Sequence, residues 1–296
     1  MWIENRLKCI VFCIESICVD ADEKNAYVKL KDMLTGLGYT VCENVLHIVD
    51  AKLDARTTLL ITDNETVAKV YVMKGYAVAG YEAGGMRRIP SAAYVFERMQ
   101  DVSEDDLLEM FCRMQYIPKH IMDTERCYIR EIALEDIPRL YEMYANPSIT
   151  KYMEPLFEKP EDELSYTKSY IRNVYGLYGY GMWVLVLKEN ETVIGRIGIE
   201  MKGNPLDEGV SAEECRGGVE LGFMIAAQYQ RKGYAKEAIR AVLAYCRENM
   251  DSQPVYAMVE KDNEASKRLC EKMGFTHIKT LWQNGRNFCY FEYENN

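Results

Sequence analysis

Between Val219 and Asn249 the chain reads VELGFMIAAQYQRKGYAKEAIRAVLAYCREN, and no other stretch narrows its fold as much. Val219 to Ile225 is an apolar run of strand length that ends at a pair of alanines. Further on, Ala235, Ala238, Ile239, Val242, Leu243 and Cys246 recur at helical spacing, one stripe of a helix laid on a sheet. A strand that turns so soon into such a helix predicts a layered α/β arrangement. At the junction stands QRKGYA, Gln230 to Ala235. Gly233 permits a tight turn or a close approach of backbone to a ligand, and Ala235 keeps the next turn slim. First-turn amides have no intrahelical acceptor and the helix start is electropositive. Arg231, Lys232, Gly233, Tyr234, Ala235 and Lys236 therefore make a candidate pyrophosphate site. Free amides occur at every helix start, so the loop alone leaves plain helix initiation open as well.

At 296 residues the chain is long for one core, and two domains are expected, 1–120 and 121–296. In the first, strand candidates alternate with helix candidates. LKCIVFCIESICV, TTLLITDN and YAVAGYE read as strands. DEKNAYVKLKDMLTGLG reads as a helix with Ala26, Leu30, Met33 and Leu34 on one stripe, and ETVAKVYVMKG as a helix with a glycine stop. SEDDLLEMFCRMQ opens on a serine cap and keeps Leu107, Phe111 and Met114 in line. Such alternation predicts a parallel, Rossmann-like sheet. YIPKHIMDTERC reads as the joint. After it come CYIREI, the helix ALEDIPRLYEMYAN and the strands GMWVLVLKE, VIGRIGIEMK and VELGFMI, a mixed α/β pattern with an antiparallel start.

The balance of 46 acidic against 36 basic residues gives a formal charge of −10, which disfavours a general nucleic-acid binder but not a cationic acceptor. No apolar run reaches membrane-spanning length. The N-terminal stretch, broken by Glu4, Glu15 and Asp20, reads as a buried strand rather than a signal peptide. Ten cysteines without a CxxC pair and three histidines offer no zinc-ligand spacing, so no metal is expected. Thiols in this number suit a reducing, cytoplasmic setting.

Past QRKGYA lie a second strand, PVYAMVEKD, and then NEASKRLCEKMGF, a helix capped by Asn263 and stopped by Gly274. Taken together, these segments resemble the GNAT superfamily of N-acetyltransferases. Gln230, Gly233 and Ala235 match its Q/R-x-x-G-x-G/A pattern, and Asn263, Ser266, Gly274 and Phe275 match its N-x-x-S…G-F element. The resemblance runs from Arg126 to the C-terminus, and YIREIALEDIPRLYEMYAN is similar to the branch with the ribosomal-protein alanine acetyltransferases. It implies acetyl-CoA as co-substrate, with pyrophosphate on the amides of Arg231 to Lys236. Gln230 and Tyr234 belong to the same loop, and Asn263 and Ser266 would flank the pantetheine. An amide near Met224 or Ile225 would polarise the acetyl carbonyl. The acceptor would be an amine-bearing small molecule or a peptide or protein N-terminus, attacking directly in a ternary complex. Glu220 is the first candidate base; an edge carboxylate bonded to a neighbouring strand is the equal alternative. Relatives often place a proton-donating tyrosine where this chain has Cys270. The thiol falls short of a phenol's reach, so Tyr229, Tyr256, Tyr290 or water would serve instead. A CoA-binding or protein-interaction module without catalysis is the rival reading, and a homodimer is left open.

YIRNVYGLYGYGMW sets Tyr175, Tyr178, Tyr180 and Trp183 among glycines. Those aromatics could cradle an acceptor; a core helix leading into a glycine-spaced strand explains them equally well. CIVFCIESI and LLITDNETVAKVYVMKGYAVAGY weakly resemble a degenerate haloacid-dehalogenase (HAD) domain. Its nucleophilic and acid aspartates would fall at Cys13 and Glu15; the first must both attack phosphorus and help hold magnesium, and a cysteine cannot do both. Docking, dimerisation or substrate presentation is the expected use of this front domain.

Overall fold

Continuous apolar runs such as CIVFC, TLLIT and AVAGY have no polar face to turn to water, so strands made from them must be covered on both sides. The computed structural model describes residues 7–16, 20–45, 52–85, 87–207, 217–250 and 254–293, in two compact units, Met1–Ile117 and Pro118–Asn296. The part of the N-terminal strand reading that falls on residues 1–6 and 17–19 lies outside the described residues.

In the first unit β1 (Cys9–Cys13), β2 (Thr40–Cys42), β3 (Thr58–Thr62), β4 (Ala77–Tyr81) and β5 (Tyr94–Phe96) form one sheet, ordered β2-β1-β3-β4-β5, every pair parallel. Helices α1 (Ala21–Gly36) and α3 (Glu104–Met114) bury Leu30, Leu34, Leu107 and Phe111 against Ile10 and Phe12 on one face. Helix α2 (Glu65–Met73) buries Ala68 and Tyr71 against Val11, Leu60 and Val78 on the other. Local signals start these helices: Asp20 and Asn64 accept first-turn amides, and Ser103 with Asp106 closes a capping box. Two corrections apply. Met33 is 42% exposed and leaves the α1 stripe, and the short edge strands β2 and β5 had not been singled out.

The strand order reverses between β1 and β3, where a doubly wound sheet opens a crevice at its carboxyl edge. Here that crevice is closed by the chain itself. Asp63, with a side chain fully sealed from solvent, accepts N–H groups from Glu15 at 3.1 Å and Ser16 at 2.8 Å and pairs with Arg87 at 3.1 Å.

In the second unit eight strands make a sheet ordered β12-β13-β11-β10-β9-β8-β7-β6. They are β6 (His120–Asp123), β7 (Cys127–Arg130), β8 (Met182–Leu187), β9 (Val193–Glu200), β10 (Val219–Ile225), β11 (Val255–Glu260), β12 (Thr276–Gln283) and β13 (Arg286–Tyr293). β6 lies inside the stretch read as the joint, and the β12–β13 hairpin had escaped the reading. All neighbours run antiparallel except β10 and β11, which are parallel and pair only at Val219↔Val255 and Glu220↔Tyr256. Beyond those two pairs the strands part. On one face lies α6 (Tyr234–Asn249), burying Ala238, Ile239, Val242, Leu243 and Cys246, with Tyr245 edge-on to Trp183 at 5.4 Å. On the other lie α4 (Ile137–Tyr144) and α5 (Pro160–Tyr170), which continues into a π-helical turn, Ile171–Tyr175. At the entry to α4, Arg130 forks onto Asp136 at 2.6 and 2.8 Å, both side chains buried. Helix α7 (Glu264–Lys272) precedes the hairpin.

Candidate active site

The QRKGYA loop owes its shape to two residues in the left-handed region, Arg231 at φ 59° and Gly233 at φ 89°. Gly233 is the N-cap of α6 and has no side chain to offer, so the amides of Tyr234, Ala235 and Lys236 have no acceptor among the described residues. By contrast α1, α2, α3 and α7 are capped by side chains, while α4 and α5 carry a proline, Pro138 or Pro160, in the first turn. Gln230 does not point at the amides; its Nε2 donates to the Ile225 carbonyl at 2.9 Å and ties the loop to the end of β10. Arg126 braces the other side, with Nε 2.8 Å from Glu237, Nη1 3.1 Å from the Lys232 carbonyl, and its guanidinium 4.3 Å above the Tyr234 ring. An open depression lined by Thr124, Arg126, Gly233, Lys236 and Arg240 adjoins the loop. The loop, the parted ends of β10 and β11, and the depression are arranged to hold an anion at one end of a slot and an extended chain along it.

Charge gathers at the other end of β10. The register sets Glu220 opposite Glu200, Gly222 opposite Gly198 and Met224 opposite Arg196, all on the face covered by α4 and α5. Lys202 Nζ lies 3.1 Å from Glu200 and 3.6 Å from Glu220. Tyr170 Oη donates to Glu200 at 2.6 Å and accepts the Met182 amide at 2.7 Å. Burial raises the Glu220 pKa; the Lys202 charge opposes this, while Glu200 and Glu154 add to it. Burial also works against the Lys202 ammonium, but the Glu220 and Glu200 charges outweigh it and its pKa is raised. A half-buried carboxylate whose pKa is raised by burial is chemically suited to act as a proton acceptor.

The family model for an acetyltransferase (GNAT) domain matches residues 126–276, half of the chain. This chain belongs to the GNAT acetyltransferase family. Curated relatives of this acetyltransferase include the uncharacterized N-acetyltransferase YoaA of Bacillus subtilis (strain 168), 28% identical over 171 residues, covering 56% of this chain and 90% of YoaA. The uncharacterized N-acetyltransferase p20 of Bacillus licheniformis is 26% identical over 155 residues, covering 51% of this chain and 80% of p20. Among solved structures, a GNAT-family acetyltransferase from Bordetella pertussis aligns at 19% identity with a TM-score of 0.48, over 59% of this chain and 99% of that one.

In the acetyltransferase unit β10 carries Met224 and Ile225 at its parted end, next to the Gln230–Lys236 loop, and Glu220 at its opposite, paired end. Asn263 caps α7, its Oδ1 accepting the Ser266 amide at 3.2 Å; its Nδ2 has no partner among the described residues. Cys270, on the buried side of α7, is 1% exposed, and burial first of all pushes its thiol up to about 12. Tyr256 lies wholly in the core, stacked on Tyr290 at 5.4 Å with its hydroxyl donated to the Gly203 carbonyl at 3.0 Å. That bond engages its proton inside the core, and Tyr290 is likewise buried and donates to Glu292. The aromatic cradle is redrawn. Trp183 is fully buried on the α6 side of the sheet, the face opposite Glu220. Tyr175 is fully buried with its hydroxyl on the Met182 carbonyl at 2.5 Å, and Tyr180 is buried, leaving Tyr178 as the exposed member. The rings that do face the charged cleft, Tyr166 and Tyr170 of α5, had not been picked out, nor had Glu200, Lys202 and Arg196. One signal was available: Arg196, Glu200 and Lys202 share one parity of an otherwise apolar strand. Among the described residues no group of three or more His, Cys, Asp or Glu could hold a metal, and no helix is long and apolar enough to cross a membrane.

Proposed function

We propose that the Pro118–Asn296 unit transfers the acetyl group of acetyl-CoA directly to a primary amine in a ternary complex. The reading is carried by the parting of β10 from β11 after two residue pairs, beside a helix start whose amides are uncapped. The pyrophosphate would sit on the amides of Tyr234, Ala235 and Lys236, with Arg231, Lys232 and Arg240 around it. The pantetheine would run between the strands, where Asn263 Nδ2 can donate to it. The acetyl carbonyl would lie against an amide near Met224 or Ile225, which stabilises the oxyanion of the tetrahedral intermediate. The amine nitrogen bonds to the carbonyl carbon and the C–S bond breaks. Glu220, directly or through water, takes the ammonium proton, and the thiolate leaves as CoA after protonation by water.

The expected result is release of CoA thiol from acetyl-CoA in the presence of suitable amines. Glu220→Gln would lower kcat by about 100-fold or more with acetyl-CoA affinity kept. Tight acetyl-CoA binding without turnover on any amine or peptide would favour the module that has lost catalysis. To Met1–Ile117 we assign no catalysis. The carboxylate best placed at its crevice, Asp63, is already neutralised by Arg87 and two amides. Whether its parallel sheet has HAD ancestry does not alter that assignment.

A further inference from the structure

Arg196 stands in the middle of β9, on the same face as Glu200, Glu220 and Met224. Among the described residues its guanidinium makes one hydrogen bond, from Nη1 to Tyr144 Oη at 3.3 Å. Its Nε is sealed from solvent without a partner, and among the described residues no carboxylate comes within ion-pair distance. A guanidinium stays charged at any working pH and presents five donors in a planar fork. Burying such a group with most donors idle is costly. The acids that could have answered it are otherwise engaged: Asp136 is forked by Arg130, and Glu200 holds Lys202 and Tyr170. Tyr166, 49% exposed, lies in the field of both Arg196 and Glu200.

We propose that the acceptor is an aminocarboxylate, its carboxylate gripped by the free edge of the Arg196 guanidinium while its amine faces the Glu220 side of the cleft. This rests on the acetyl-transfer reading for the amine and adds the second recognition point. The register supports the spacing, because Arg196 lies opposite Met224, where the acetyl carbonyl would rest. A carboxylate close to the nucleophilic nitrogen, as in a free amino acid or a peptide N-terminus with a nearby acidic group, fits that distance. Arg196 is then a specificity residue, and Glu220 keeps the proton transfer.

The test uses matched pairs on the full chain: amino acids against the amines left when the carboxylate is removed, and acidic against neutral N-terminal dipeptides. The dipeptide arm distinguishes a free amino acid from a peptide end. The wild type should prefer the carboxylate-bearing member by about 10–100-fold in kcat/KM, the worth of a charge-assisted hydrogen bond. Arg196→Met should abolish the preference mainly through acceptor KM, with the acetyl-CoA KM unchanged. Arg196→Lys should restore part of it. Equal rates on both members of each pair, or an equal loss on all amines in Arg196→Met, overturn the proposal. A second measurement stands apart from turnover. N-acetylamino acids should raise the Tm of the wild type but not of Arg196→Met, whereas matched N-alkylacetamides should raise neither. Absence of that shift sinks the carboxylate site whatever the rates; absence of transfer to any amine with the shift present sinks the acetyl-transfer reading instead.

Discussion

If Glu220 is the base, its neighbours must set the acid limb of the kcat/KM profile, and they must do so with opposite signs. Lys202 stabilises the ionised carboxylate, so Lys202→Met removes a favourable charge. The Glu220 pKa then rises further and the limb moves to higher pH. Glu200 destabilises the ionised form, so Glu200→Gln lowers the pKa and moves the limb down, the more so because Lys202 is released to approach Glu220. The size follows from the geometry. At 3.6 Å two unit charges interact by about 4–5 kcal/mol at an effective dielectric of about 20. The Lys202 side chain is 57% exposed, so water screens much of this, and about 1 kcal/mol is retained. One pKa unit corresponds to about 1.4 kcal/mol, giving a displacement on the order of one unit for Lys202→Met. The assay is initial-rate CoA release at subsaturating acceptor across pH, with thermal melts at each end of the range to confirm folding. A limb that stays fixed in both variants, or moves the same way in both, would refute Glu220 as the titrating base.

Two further outcomes are expected. Asp136→Ala removes the carboxylate that the buried Arg130 guanidinium forks onto and should cost about 3–5 kcal/mol of unfolding free energy, read from urea denaturation; a loss under 1 kcal/mol would contradict the pairing. Gly233→Ala forces a side chain into a left-handed position at φ 89°, with its Cβ 3.4 Å from Arg126 Nη2. The acetyl-CoA KM should rise with little change in acceptor KM, and an unchanged acetyl-CoA KM would remove the loop from the binding site.

The two halves of the candidate site were unequally legible. The loop could be read from sequence because its parts are adjacent: a glycine at the turn, basic residues beside it, and a helical stripe behind it all act through local backbone geometry. The charged cluster around Glu200 and Glu220 is assembled from β9, β10, α4 and α5, whose residues are far apart in the chain. The YGYGMW aromatics looked like a cradle because glycines space them, yet strand alternation turns Trp183 to the α6 face and Met182 toward Glu200 and Glu220. Only the register says which parity of β8 meets which parity of β10.

By itself the sequence determined the layering, most of the helices with their caps, and the tight turn at Gly233, since these depend on periodicity and on interactions a few residues long. Tertiary structure alone decided that β10 and β11 part after two pairs, that Asp63 fills the crevice of the first sheet, and that Glu200, Lys202, Glu220 and Arg196 share one face. Those outcomes turn on strand pairing and on charges brought together across the fold. Burial then sets the cost of leaving any of those charges without a partner.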